Sequence, residues 1–170
     1  MRTWPLPHSF WLLIFTLLLG PAFALLAADG PAVTRPALYD ASADGQTQIA
    51  AALKTARLEH KRVILKFGAN WCGWCHKLSG VLKTNAELAQ LMKDNYVLVL
   101  IDVDKEHNAD TVKKYGNPTQ HGLPVLVVLD IDGTLLTTQD TGKLEYGNQH
   151  DPAKVKAFLE KWRKPKPGKA

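Results

Sequence analysis

Two cysteines separated by two residues are the first candidates for chemistry in this sequence. Cys72 and Cys75 are the chain's only cysteines and lie in the run Trp-Cys-Gly-Trp-Cys at residues 71–75. A bridge between them would close too small a loop to add much stability, so we expect their role to be chemical. One thiolate could attack a substrate disulfide, and the other thiol could then resolve the mixed disulfide. The spacing therefore predicts thiol–disulfide exchange, with Cys72 attacking and Cys75 resolving.

The residues around the cysteines predict a strand before them and a helix after them. Residues 63–67 form a nearly continuous apolar run, which ends at Gly68-Ala69-Asn70. At a helix N-terminus, Cys72 would lie near free backbone N–H groups and the positive end of the helix dipole, which favour thiolate over thiol. Gly73 would permit a close approach to the sulfur. Trp71 and Trp74 are expected to form an apolar rim around an exposed sulfur.

The same residues leave a second interpretation open. Cys72, Cys75 and His76 match Cys-x-x-Cys-His, the attachment signal of c-type haem. His76 would then be one axial ligand, with Met92 or another histidine as the second. A mostly helical haem protein would leave the strand before Cys72 and the segment Leu123-Pro124 unexplained. Electron transfer through covalent haem is therefore the alternative to thiol exchange.

Residues 127–135, Val-Val-Leu-Asp-Ile-Asp-Gly-Thr-Leu, form a third motif. They resemble the strand-end motif of haloacid-dehalogenase phosphatases, in which Asp130 would be the nucleophile and Asp132 the general acid. Asp-Gly is also typical of a tight turn between two strands, because such a turn needs a residue with positive φ. We therefore expect a hairpin at this point of the chain.

The elements that must position the cysteines follow from the spacing of apolar residues. Helices are predicted over 46–60, from the cysteines to Met92 with Asn85 as a cap, over 108–115, and over 152–162. Strands are predicted over 63–67, 96–103, 124–129 and 134–138. Strands that alternate with helices and end in a hairpin indicate an α/β fold, with a central mixed β-sheet flanked by helices on both faces.

The termini differ in composition from the middle of the chain. Residues 1–24 predict a signal peptide, with cleavage as late as 28: Arg2 precedes an apolar stretch, which Gly20-Pro21 break. Residues 25–45 predict a linker, 46–163 the domain, and 164–170 a basic disordered tail. Export would place both thiols in the periplasm or outside the cell, where disulfides persist. An uncleaved membrane anchor is the alternative.

Composition is that of one globular domain. The chain has 170 residues, of which 46% are hydrophobic, with 21 basic and 16 acidic side chains. This balance excludes disordered and collagen-like proteins. Much of the basic excess lies in the tail, where few aromatic residues accompany it, so no nucleic-acid binding is expected.

Two segments carry a family resemblance. Residues 66–77, Lys-Phe-Gly-Ala-Asn-Trp-Cys-Gly-Trp-Cys-His-Lys, resemble the active-site strand and helix of thioredoxin-like proteins, and residues 122–125, Gly-Leu-Pro-Val, resemble their second signature. The resemblance covers residues 45–163 and is nearest to the exported branch that includes the C-terminal domain of the periplasmic thiol-disulfide interchange protein. It implies a cis Pro124 facing Cys72, and pairing of the Leu123 backbone with an extended substrate peptide. The alternative role of Pro124 is to start a strand.

One position departs from that family. Thioredoxin-like proteins usually carry a buried carboxylate six residues before the first cysteine, and this chain has Lys66 there. Our hypothesis is that Lys66 is a cation that lowers the thiol pKa values, that His76 adds positive charge, and that a proton relay passes to Asp102 or Asp104. The other hypothesis is that the Lys66 ammonium merely reaches water at the strand end.

The resemblance also implies what the protein works with. It requires no organic cofactor and no metal, only a redox-active Cys72–Cys75 disulfide. Protein substrates with thiols or disulfides are the expected partners, together with a membrane protein as electron donor or acceptor. We expect a monomer, because no separate dimerisation domain is evident. The direction of exchange is open, and we favour a reductase or general interchange role.

Overall fold

The computed structural model describes Met1 and residues 35–165. The predicted signal peptide after Met1, residues 25–34 of the predicted linker and residues 166–170 of the predicted basic tail lie outside these residues. None of the helices described is both long and apolar enough to cross a membrane.

Helices and strands alternate along the described chain. The helices are α1 (Gly45–Glu59), α2 (Gly73–Thr84), α3 (Ala86–Asn95), α4 (Ala109–Lys114) and α5 (Pro152–Trp162). The strands are β1 (Arg62–Gly68), β2 (Tyr96–Asp102), β3 (Val125–Leu129), β4 (Leu135–Asp140), β5 (Glu145–Tyr146) and β6 (Gln149–His150). The predicted elements are confirmed, with bounds that differ by a few residues. The short β5–β6 hairpin is an addition that the sequence pattern does not show.

The main sheet has the strand order β2-β1-β3-β4. Strand β1 runs parallel to β2 and antiparallel to β3, and β3 forms an antiparallel hairpin with β4. In the parallel pair, Lys66 lies opposite Leu100 and Gly68 lies opposite Asp102. The predicted mixed sheet is therefore confirmed, and its central strand β1 leads directly into the cysteine segment.

The two faces of β1 contact different helices. Val63, Leu65 and Phe67 pack with α1 residues in one apolar cluster, whereas Ile64 packs with residues of α2, α3 and α5 in another. Because side chains alternate along a strand, Lys66 and Gly68 share the face of Ile64 and point towards α2. This alternation places a lysine directly behind the cysteines.

Side-chain caps mark where the helices around the site begin. Asn85 ends α2 and also begins α3, where its side chain accepts a hydrogen bond from Leu88 N at 3.1 Å. The predicted cap at Asn85 is thus confirmed. Asp151 and Pro152 begin α5, also as predicted.

The Asp-rich motif forms the turn between β3 and β4. Asp130 N donates to Thr134 O at 2.9 Å, and Gly133 has a φ of +92°. The carboxylates of Asp130 and Asp132 accept hydrogen bonds from the turn's own backbone, at Ile131 N and Thr134 N. The hairpin prediction explains both carboxylates, and the phosphatase resemblance has no further support.

The predicted linker extends too far. Tyr39 lies within the predicted linker over 25–45, but it is buried and packs with Cys72 and Cys75. Asn70 holds this segment: its Oδ1 accepts hydrogen bonds from Leu38 N and Tyr39 N, and its Nδ2 donates to Tyr39 O. An isolated aromatic residue in a Pro- and Gly-containing segment has no periodicity to reveal its burial. The folded unit therefore begins before α1.

Candidate active site at the Cys72–Cys75 disulfide

Cys72 and Cys75 are joined by a disulfide, with their Cα atoms 5.3 Å apart. Cys72 is the N-cap of α2, and its Sγ accepts a hydrogen bond from Cys75 N at 3.1 Å. The same N–H would stabilise a Cys72 thiolate once the bond opens, because free N–H groups and the helix dipole favour an anion there. Cys75 lies one turn further on and is fully buried. The geometry suits attack by Cys72 and resolution by Cys75.

The two tryptophans of the motif lie in different environments. Trp71 is 67% exposed, and its Nε1 donates to Asp104 Oδ1 at 2.9 Å. Trp74 is half-buried and meets the ring of His150 edge-on, with centroids 5.4 Å apart. Cys72 is only 5% exposed, so the predicted exposed sulfur inside a rim of two tryptophans is wrong for the disulfide form. Trp71 alone offers a large apolar surface to solvent beside the cysteines.

Leu123 and Pro124 lie on the same side of the molecule as the disulfide. The Leu123–Pro124 peptide bond is cis. Leu123 is half-buried and packs against the cluster of Tyr39, Cys72 and Cys75. Pro124 is buried, and its carbonyl oxygen accepts a hydrogen bond from Thr141 Oγ1.

Lys66 is wholly buried behind the disulfide. Its side chain is 0% exposed, and its Nζ donates to Cys75 O at 2.9 Å and to Ser79 Oγ. Nζ also lies 5.4 Å from the centre of the Tyr39 ring. The hypothesis that the ammonium reaches water is therefore wrong, because no part of the Lys66 side chain is exposed. Burial, and secondarily the charge of Lys83, lower the Lys66 pKa to about 8.

The two candidate relay carboxylates differ in position. Asp104 accepts the hydrogen bond from Trp71, which makes it a partner of the exposed indole. Asp102 is 2% exposed, and its Oδ1 accepts from Asp104 N at 3.0 Å. Of the two, Asp102 is the buried carboxylate, and it lies opposite Gly68 in the sheet.

Comparison with known proteins agrees with this geometry. The Thioredoxin-like family matches residues 44–130, which include α1, the disulfide and strand β3. This chain belongs to the thioredoxin-like family. The fold predicted from the resemblance is confirmed.

Individual relatives support the same family. The solved structure of a disulphide isomerase from Xylella fastidiosa Temecula1 is 34% identical, with a TM-score of 0.66, and covers 76% of this chain and 98% of that one. Thioredoxin of Bacillus subtilis is 41% identical over 76 residues, which are 45% of this chain and 64% of that protein. Protein disulfide-isomerase 1 of Dictyostelium discoideum is 28% identical over 85% of this chain. The chain spans between 8% and 64% of the length of these curated relatives and others that it matches.

Membership of the thioredoxin-like family decides between the two redox interpretations. The haem interpretation predicted a mostly helical protein, whereas the cysteines follow the central strand of a sheet. His76, its required axial ligand, is half-buried and its Nε2 lies 2.8 Å from Asn70 O. Covalent haem is thus not favoured, and the two cysteines form a disulfide in a protein of the thioredoxin-like family.

His150 is a further residue near the site that sequence reasoning missed. It is fully buried on β6 against Trp74, and neither ring nitrogen has a hydrogen-bond partner among the described residues. Burial, followed by the charges of Lys66 and Lys77, lowers the His150 pKa to about 4. Within the described part of the chain, the carboxylate that reaches it is that of Glu145, with Oε1 4.0 Å from Nε2. The sequence carries no signal for this contact, because it depends on how the β5–β6 hairpin meets α2.

Proposed function

We propose that this protein is an exported thiol–disulfide oxidoreductase that exchanges its Cys72–Cys75 pair with protein substrates, as a reductase or general interchange protein. The observation that carries the proposal is the disulfide at the start of α2, with Cys72 at the N-cap and Cys75 buried behind it. This arrangement favours the thiolate of Cys72 and keeps Cys75 within reach to resolve a mixed disulfide. Exchange with an external disulfide requires both features.

Protein substrates would bind beside Cys72, next to the exposed ring of Trp71. Trp71 offers an apolar surface, and the backbone of Leu123 can pair with an extended peptide. Gly73 and Trp74 complete the substrate-facing segment. Pairing through the backbone gives affinity without reading the sequence of the client, which suits a protein that serves several substrates.

The apolar sequence at residues 1–24 supports export to the periplasm or the cell exterior. A reductant in an oxidising compartment needs a supply of electrons, so we propose a membrane protein as its electron donor or acceptor. The exchange itself uses the two sulfurs, and we propose that the protein acts as a monomer without an organic cofactor or metal. The name of the Xylella relative, a disulphide isomerase, supports an interchange role.

The buried cation should influence the direction of exchange. A positive charge at Lys66 stabilises a thiolate and hence the reduced pair, which raises the midpoint potential. Lys66→Met should therefore give a more reducing pair, by about 30 mV for each 1.4 kcal/mol of lost stabilisation. The rate of Cys72 alkylation against pH tests the same cation, and an unchanged Cys72 titration in the variant would contradict this effect.

The deciding experiment is a redox titration of the purified protein in glutathione buffers, read as the mass shift after alkylation. A single two-electron transition is expected, with a midpoint near about −270 mV for a thioredoxin-like reductant or near about −120 mV for a strong oxidant. Cys75→Ser should accumulate mixed disulfides with client proteins, whereas Cys72→Ser should not. Cysteines that never interconvert, or a haem absorption band, would refute the proposal.

A further inference from the structure

The Tyr39 hydroxyl is buried beside the resolving cysteine and has no hydrogen-bond partner among the described residues. Tyr39 is 2% exposed, and its hydroxyl makes no hydrogen bond to any residue of the described chain. A Cβ placed on Gly68 would overlap that hydroxyl and lie 2.6 Å from Cys75 Sγ, so both atoms border the same space above Gly68. An unpaired buried hydroxyl costs stability, and its place beside a reactive sulfur calls for a state in which it is bonded.

A second unpaired polar atom lies on the same side. Asp102 faces Gly68 across the parallel strand pair and is nearly fully buried. Its Oδ1 is bonded to Asp104 N, whereas its Oδ2 has no partner among the described residues. The Tyr39 pKa is raised mainly by burial and secondly by the negative charge of Asp102. The hydroxyl beside Cys75 thus feels the charge of a carboxylate on the neighbouring strand, while the position of the family's usual carboxylate is occupied by Lys66.

We propose that Tyr39 and Asp102 carry the proton of Cys75 when the mixed disulfide is resolved. This inference rests on the proposed function. Cys75 Sγ attacks Cys72 Sγ, the Cys72–Cys75 bond forms, and the bond from Cys72 to the client sulfur breaks, with its electron pair leaving on that sulfur. In the disulfide form the Tyr39 hydroxyl is bonded to neither group, and in the mixed disulfide it bridges Cys75 Sγ and Asp102 Oδ2. The Cys75 proton then passes to the Tyr39 oxygen while the Tyr39 proton passes to Asp102 Oδ2, which leaves Asp102 protonated. The two protein thiols are oxidised and the client disulfide is reduced, so electrons balance.

The local contacts explain why this hydroxyl, and not another group, is the proton exit. The Lys66 amine is bonded to Cys75 O and Ser79 Oγ, so it faces the backbone of α2. Asn70 makes two hydrogen bonds with the backbone of Tyr39 and one with that of Leu38, which holds the Tyr39 ring against the disulfide. A phenol with a raised pKa stays protonated at neutral pH and can accept one proton only while it gives up another. Such a group transfers a proton without holding a charge in the core.

The test is a single-turnover reaction of the reduced full chain with oxidised glutathione, quenched in acid and read by mass. It separates the attack of Cys72, which forms the mixed disulfide, from the resolving attack of Cys75. Tyr39→Phe removes only the hydroxyl and should leave the first step unchanged while slowing the second by about tenfold or more. The defect should shrink as pH rises, because hydroxide can then take the proton. Tyr115→Phe, a buried tyrosine in the α1 cluster, is the matched control and should slow neither step.

Asp102→Asn should slow the same step, and the double variant should be no slower than the slower single one. Tyr39→Phe should keep or raise the melting temperature of the oxidised protein, since it removes an unpaired buried group. A normal second step in Tyr39→Phe would overturn the inference, as would equal slowing of both steps or a slow second step in Lys66→Met alone. Failure of the wild-type protein to form any mixed disulfide would instead refute the proposed function.

Discussion

A buried lysine should make the stability of this protein depend on pH in the alkaline range. Burial lowers the Lys66 pKa to about 8 from its ordinary value of 10.5. The folded protein therefore disfavours the charged amine, and the unfolded chain binds that proton more tightly. The contribution of Lys66 to the free energy of unfolding is therefore lowest below pH 8. It rises by about 3 kcal/mol in total as the pH approaches 10.5.

The variant Lys66→Met isolates this contribution, because methionine keeps an apolar side chain of similar length and does not titrate. The variant also loses the hydrogen bonds to Cys75 O and Ser79 Oγ, about 1 kcal/mol each, and that loss does not change with pH. Between pH 7 and pH 10, the unfolding free energy of the wild type should rise by about 2–3 kcal/mol relative to the variant.

Urea unfolding of the oxidised protein at several pH values measures the difference. Tyrosine ionisation affects both proteins and cancels in the comparison. Lys54→Met, at an exposed position on α1, is the control and should follow the wild-type curve at every pH. Parallel curves for Lys66→Met and the wild type would show that the amine titrates as it does in water, and would refute the buried-cation reasoning.

Three further changes test the surroundings of the site. The lowered His150 pKa means that stability falls as pH drops from about 6.5 to about 4; His150→Phe should abolish up to about 3 kcal/mol of that loss, read by circular dichroism in urea at each pH. Asn70→Ala should speed amide hydrogen exchange at residues 38–39 and cost about 1–3 kcal/mol, and unchanged exchange would contradict the role of its side chain. Gly68→Ala should cost about 1–3 kcal/mol because its Cβ overlaps the Tyr39 hydroxyl, and adding Tyr39→Phe should restore part of the melting temperature. A Gly68→Ala variant as stable as the wild type would contradict that packing.

The elements around the cysteines are predictable because their signals are local. The apolar run before Cys72 marks a strand buried on both faces, and the caps at Asn85 and Asp151 mark helix starts by side-chain chemistry. The cysteine spacing, read in its strand-to-helix context, identifies the redox pair without reference to any distant residue. These features depend on residues within a few positions of one another.

The rest of the site depends on contacts between distant segments. Lys66 could reach water or remain buried according to what covers the end of β1, and its own sequence neighbours are apolar in either case. Tyr39 contacts Asn70 and His150 contacts Trp74, and the two residues of each pair are 31 or more positions apart in the sequence. Their roles arise from tertiary packing, which no periodicity along the chain records.

The hydrogen bonds between the Asn70 side chain and the backbone of residues 38 and 39 determine where this protein can be shortened. A chain trimmed to begin at Gly45 would keep every strand of the sheet and every helix described, and would look complete by secondary structure. It would nevertheless lose the ring that covers Lys66 and Cys75, and would admit water to a space that is closed in the intact protein. A shortened chain for expression should therefore begin before Leu38, even though the first regular helix starts seven residues later.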